Sequence, residues 1–159
     1  MDFAKQEPNQ QVPESSLHLV KASFALRGIA AFATSKLEFP TLLFDSLQQP
    51  SGAGVRSASS SARELLYKSG NVCIDLHVQP ELGSESVVVV GQLLDSMQPT
   101  KGMADIPVSL LRHGTLVSGK KTNSFGEFDF GFDTPDDVHI AVGLDDQKTV
   151  VVPLPPPRL

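Results

Sequence analysis

After Gly70 the apolar residues of this chain alternate with polar ones, in short runs separated by turn residues. In residues 72–78, Val72, Ile74, Leu76 and Val78 fall on one side of an extended backbone, while Cys73, Asp75 and His77 fall on the other. Strand side chains point alternately to opposite faces, so this period of two predicts a half-buried strand, ended by Pro80. Residues 87–94 (VVVVGQLL) are almost continuously apolar, which predicts a strand covered on both faces, with Gly91 marking a bulge or a close backbone approach. After a turn over 95–102, strands are expected at 106–112, 115–121, 127–132, 138–144 and 149–152. The turns between them fall at His113-Gly114, 123–126, 134–137 and Asp145-Asp146. Short strands recurring every roughly 8 to 12 residues with turn chemistry between them predict a mainly β chain, an antiparallel β-sandwich of about seven strands over residues 72–153.

The 159 residues, 40% of them hydrophobic, have room for one core of ordinary domain size, with extensions. Residues 1–40 read as an amino-terminal extension, polar and then amphipathic and partly helical. Residues 1–16 carry Asp2, Glu7 and Glu14 and lack the positive region followed by an apolar run that export needs. Residues 17–32 are the most apolar early stretch, but Lys21 and Arg27 interrupt it and it is shorter than the roughly 20 apolar residues that span a bilayer, so no membrane span is expected. As a helix it places Leu19, Ala22, Leu26, Ile29 and Ala33 on one face, with His18 and Lys21 off it. That face either packs on the chain's own core or meets a partner through Leu19, Leu26 and Ile29. Residues 41–71 read as a linker with a short strand after Pro40, a loop over 48–54, and a helical turn over 62–68 ended by Ser69-Gly70-Asn71. Leu65-Leu66-Tyr67 suits an extended segment equally well.

A net charge of −5, with Lys120-Lys121 the only adjacent basic pair, argues against a nucleic-acid partner, because phosphate binding needs clustered Lys and Arg. Cys73 is the only cysteine, which excludes an intrachain disulfide and a multi-cysteine zinc site and points to the cytoplasm. His18, His77, His113 and His139 are scattered without metal-ligand spacing, and the dyads Asp136-Asp137 and Asp145-Asp146 lack a calcium-loop motif, so no metal or cofactor is expected. No Ser sits in a Gly-x-Ser-x-Gly elbow. The tail, residues 153–158, fits P-x-x-P-x-R through Pro153, Pro156 and Arg158, and is expected as polyproline II, serving as a stiff extension or as a docking peptide.

The order Gly91-Gln-Leu-Leu-Asp95, Ile106-Pro-Val-Ser-Leu110 and Thr122-Asn-Ser-Phe-Gly126-Glu-Phe128-Asp-Phe130 resembles the carboxypeptidase regulatory-like (transthyretin/prealbumin-like) pattern of G-x-V-x-D, P-V-x-L and T-D-x-x-G-x-F-x-F. Gly126 is suited to the positive φ of a tight hairpin, and Phe128 and Phe130 then face the core together. Asn123 stands where that family usually has Asp; either side chain can bond its own turn. Upstream, Phe44 to Leu47, Gly54 to Ser57, Arg63 to Tyr67 and Asn71 to Val78 are similar to short acidobacterial-type proteins, of no assigned biochemical role, that end in the same module. The resemblance implies a transthyretin-like or Ig-like sandwich. Transthyretin-like hydrolases end in Tyr-Arg-Gly-Ser, a signature missing from this chain's Pro153-Leu-Pro-Pro-Pro-Arg-Leu159.

The expectation is a non-enzymatic protein-interaction or accessory, regulatory subunit that binds a protein partner or itself, without nucleic acid or small-molecule substrate. A self-assembling structural protein and a carbohydrate- or small-ligand-binding module are the alternatives. Sugar binding is disfavoured because the chain has no Trp and one Tyr to stack on a ring.

Overall fold

The computed structural model describes residues 36–48, 62–133, 137–145 and 147–155. Among them are eleven strands and no helix: β1 (Lys36–Glu38), β2 (Thr41–Asp45), β3 (Arg63–Ser69), β4 (Val72–Pro80), β5 (Ser86–Asp95), β6 (Gln98–Gly102), β7 (Pro107–Arg112), β8 (Thr115–Lys121), β9 (Glu127–Asp133), β10 (Val138–Asp145) and β11 (Lys148–Leu154). They form two sheets. One is five-stranded, in the order β1-β11-β10-β7-β8; the other is six-stranded, in the order β2-β3-β4-β5-β6, with β9 also paired to β5. All pairings are antiparallel except that of β1 with β11.

A single core joins the two sheets. Leu65, Tyr67, Ile74, Leu76, Val87, Val89, Leu93 and the three phenylalanines of β9 pack from the six-stranded side against Val108, Leu110, Ile140, Val142, Val150 and Val152 from the other. This is the arrangement of a β-sandwich. Each fully buried side chain of this size is worth about 1.5–3 kcal/mol relative to exposure, which holds the sheets face to face.

The hairpin into β9 is built as its residue types dictate. Asn123 Oδ1 accepts from the amides of Phe125 and Glu127, both at 2.9 Å, and Gly126 takes a φ of +79°. A Cβ on Gly126 would lie 2.3 Å from the Leu93 carbonyl oxygen, so conformation and space both demand glycine there. Phe128, Phe130 and Phe132 then point inward. The Phe128 ring lies over Gly91, its register partner on β5, where a Cβ would come within 2.1 Å of the ring. Gly91 therefore marks a close approach.

Four expectations are corrected. The expected helical turn over 62–68 is instead strand from Arg63 on: β3 pairs with β4 from Arg63 opposite Val78 to Ser69 opposite Val72, and this complete ladder outweighs the helical signal. The sheets consequently begin ahead of residue 72, and β1, β2, β3 and β6 bring the strand number above the expected seven. β5 is not covered on both faces, since Val87, Val89 and Leu93 are buried but Val90 is 46% exposed. The doubly covered strand is instead β11, where Thr149, Val150, Val151 and Val152 are all buried. Finally, β11 runs on to Leu154, so Pro153 is a strand residue and the polyproline tail cannot begin there. The helical character expected of residues 1–35 lies outside the described residues.

Candidate interaction surfaces

Of the sequence-marked partner residues, Leu19, Leu26, Ile29, Pro156 and Arg158 lie outside the described residues. Pro153 is exposed on β11, and its carbonyl accepts a hydrogen bond from the Tyr67 hydroxyl at 3.2 Å, a tie from one sheet to the other. The other polar ties are similarly structural. Arg63 holds Asp45 through two hydrogen bonds, 3.0 Å from Nε and 2.5 Å from Nη2, with the Leu47 amide on the same carboxylate, fixing β2 onto β3. Glu38 accepts from Ser69 at 3.1 Å and lies 3.0 Å from Lys148 Nζ, joining the sheets at their rim; Lys148 first among several groups holds its carboxyl below the usual range.

His113 and His139 both approach Asp137, at 3.4 Å and 3.6 Å, beside the β7–β8 turn, where His113 and Gly114 both take positive φ. Among the described residues no group of three or more His, Cys, Asp or Glu side chains is placed to hold a metal ion. Lys120 reaches Asp129 at 3.3 Å and stands 5.1 Å above the Phe130 ring, so this half of the basic pair bridges β8 to β9. A cleft of about 280 Å³ opens between these strands. Val117 and Phe132 line it with Arg112 and Asp133 at its polar side, and no His, Ser or Cys is among its lining residues.

The edge strands β8, β2, β1 and β6 carry features that oppose strand addition. On β8, Leu110 opposes Ser118 and Leu111 opposes Leu116, which leaves Val117 as a bulge residue; Lys120 and Lys121 follow on the same strand. On β2, Leu43 is bulged in the same way and Asp45 points inward. β1 has only three residues, and β6 contains Pro99 and Lys101. Bulges, inward charges, lysines and short edges each disfavour pairing with another chain.

The far face of the six-stranded sheet has a different character. Register aligns Phe44, Leu66, Asp75, Gln92 and Glu127 in one cross-strand row, Glu64, His77, Val90 and Asp129 in the next, and Gln79, Val88 and Gly131 beyond. Phe44, Leu66, Val88 and Leu94 are half-buried and Val90 is exposed, so apolar surface lies interleaved with four carboxylates. Desolvation and then the charge of Glu64 raise the carboxyl of Asp75 above its ordinary value, with His77 opposing. Sequence reading missed this surface, because a run of four valines looks buried throughout. The available signal was β4, whose polar Cys73, Asp75 and His77 mark the same face.

Among the described residues no helix is long and apolar enough to cross a membrane. Comparison of the chain with protein-family models, with curated proteins and with solved structures returned no match.

Proposed function

We propose that this protein is a non-enzymatic binding module, an accessory or regulatory subunit that meets a protein partner with the far face of its six-stranded sheet. We further propose that its sandwich is of the carboxypeptidase regulatory-like type. The observation that carries the functional reading is that face, where Val90, 46% exposed in mid-strand, stands among half-buried Leu66 and Val88 with Glu64, Asp75 and Asp129 around them. Mixed apolar and acidic surface suits a partner presenting apolar and basic groups, whose binding weakens as salt rises. The bulged and charged edges speak against assembly through strand addition, and the single tyrosine is buried, away from any sugar. The glycine-dependent hairpin at residues 122–128 and the inward phenylalanines of β9 support the family resemblance.

The test compares immobilised wild-type protein with Val90→Lys, and with Met97→Lys as an exposed control, in extract of the native cell. A protein retained by the wild type and the control and lost from Val90→Lys is the expected result. Retention equal on all three, or no retained protein, refutes the assignment of this face.

A further inference from the structure

β9 is an edge of the six-stranded sheet that lacks the bulges, lysines and prolines of the others. Its ladder with β5 runs from Ser86 opposite Asp133 to Gln92 opposite Glu127 without a register shift, and among the described residues no strand pairs with its other side. The hairpin shows which backbone groups face outward. The Gly126 carbonyl accepts from the Leu93 amide of β5 at 2.8 Å, whereas the Glu127 carbonyl and amide turn the other way, to the Asn123 amide at 3.0 Å and the Asn123 side-chain oxygen at 2.9 Å. Backbone groups alternate sides along an antiparallel strand, so the amides and carbonyls of Asp129 and Gly131 also point away from β5. Gly131 is exposed, and a Cβ there would meet nothing within 4 Å. The cleft of about 280 Å³ lies along this edge: Gly131 and Phe132 line it with Leu110, Val138 and, from β8, Val117, which is 53% exposed.

We propose that this edge takes an extended segment of a partner protein, alternating apolar and basic residues, as a further strand of the six-stranded sheet. A strand laid beside β9 puts every second side chain on the inner side, where the walls of the cleft are mostly apolar, with Arg112 and Asp133 at its polar side. The others fall on the outer side, beside the exposed Glu127, Asp129 and Asp133. Lys120 already supplies one cation to this edge, reaching from β8 to Asp129 at 3.3 Å and standing 5.1 Å over the Phe130 ring. That pair is open to solvent, with side chains 38% and 69% exposed, so a partner's Lys or Arg displaces Lys120 at little cost. A second copy of the chain does not suit the site: two β9 edges side by side would set the carboxylates of one against those of the other, and like charges directly opposite are destabilising. The inference goes beyond the far-face reading, since it places a partner's main chain on the β9 backbone and needs no contact with Val90.

The probe is a fluorescent heptapeptide of alternating Lys and Val, followed by polarisation with the full chain at low salt. It should bind about tenfold more tightly than the same peptide N-methylated at every residue, which keeps the charge and loses the main-chain donors. Equal binding of the two peptides, or binding of neither, overturns the proposal. Gly131→Pro removes an outward amide from an edge strand, where proline is tolerated, and leaves the far-face side chains in place. With its strand signal intact in circular dichroism, this variant should lose most of the difference between the peptides, and a folded variant that binds as wild type does overturns the proposal. Val90→Lys should keep the difference, which separates failure of the edge from failure of the far face. As a measurement that needs no variant, the heptapeptide should slow amide hydrogen exchange at Asp129 and Gly131 several-fold in the wild type; unchanged exchange at both overturns the proposal as well.

Discussion

Tyr67 offers a direct optical test of the sandwich, because it is the chain's only tyrosine and there is no tryptophan. Its side chain is packed between the sheets, 5% exposed, with its hydroxyl donated to the Pro153 carbonyl. Burial pushes that hydroxyl up to about 12, the Arg63 guanidinium opposing and the Asp45 carboxylate adding to the rise. In the unfolded chain the group titrates near 10. A folded value above the unfolded one means that the stability is intact below about pH 10 and is lost as pH climbs toward about 12. At about 1.4 kcal/mol per pH unit, that difference removes on the order of 3 kcal/mol. The assay is the near-ultraviolet absorbance of tyrosinate, followed with circular dichroism over the same alkaline range. Native protein should show tyrosinate only near pH 12 or together with unfolding, and protein in urea should show it near pH 10. Tyr67→Phe should lose about 1 kcal/mol at neutral pH with the hydrogen bond, and should resist alkali better than wild type over this interval. Tyrosinate appearing near pH 10 in protein with an unchanged strand signal would refute the enclosure of Tyr67 between the sheets.

Three further outcomes are expected. Arg63→Met should lower stability in denaturant unfolding by about 3 kcal/mol, since the Asp45 carboxylate, 1% exposed, loses its guanidinium, and the double variant Asp45→Leu/Arg63→Met should recover much of the loss. Gly91→Ala should cost about 1–3 kcal/mol in the same assay by forcing the Phe128 ring off β5, whereas Gly131→Ala, with open space around its added methyl, should cost less. Asp75→Asn should raise stability at neutral pH, by well under about 1 kcal/mol in this solvent-screened setting, seen as a small rise in thermal midpoint. Because the Asp75 carboxyl is raised in the folded chain, that advantage should fade as pH falls from the raised value toward the ordinary value of 3.8, and be gone below it.

Local pattern made part of this fold legible. The alternation in residues 72–78 became β4, with Ile74, Leu76 and Val78 buried, and the phenylalanine spacing after Gly126 became the inward face of β9. What escaped depends on partners distant in the chain. Leu65-Leu66-Tyr67 carries no period that separates a helical turn from a strand, and the β4 ladder decided it. VVVV and TVVV look alike in sequence, yet Val90 on β5 is 46% exposed while all of Thr149 to Val152 on β11 is buried. The Asp45–Arg63 pair joins residues 18 positions apart with ordinary neighbours around both. Gln98-Pro-Thr-Lys-Gly102 has turn composition, and it is a strand only as a short edge on β5.

The parallel pairing of β1 with β11 has a consequence for synthesis. Lys36, Leu37 and Glu38 find their partners at Lys148, Thr149 and Val150, so one margin of the five-stranded sheet joins residues made long before their partners. While the chain is being translated, the six-stranded sheet can assemble hairpin by hairpin, but β1 waits in the nascent chain until the final strand has cleared the ribosome. Closing so large a loop makes this a late and entropically expensive step. Removing β11 should therefore release β1 as well, and stalled chains should be protected from protease over β3–β5 before they are protected over β1.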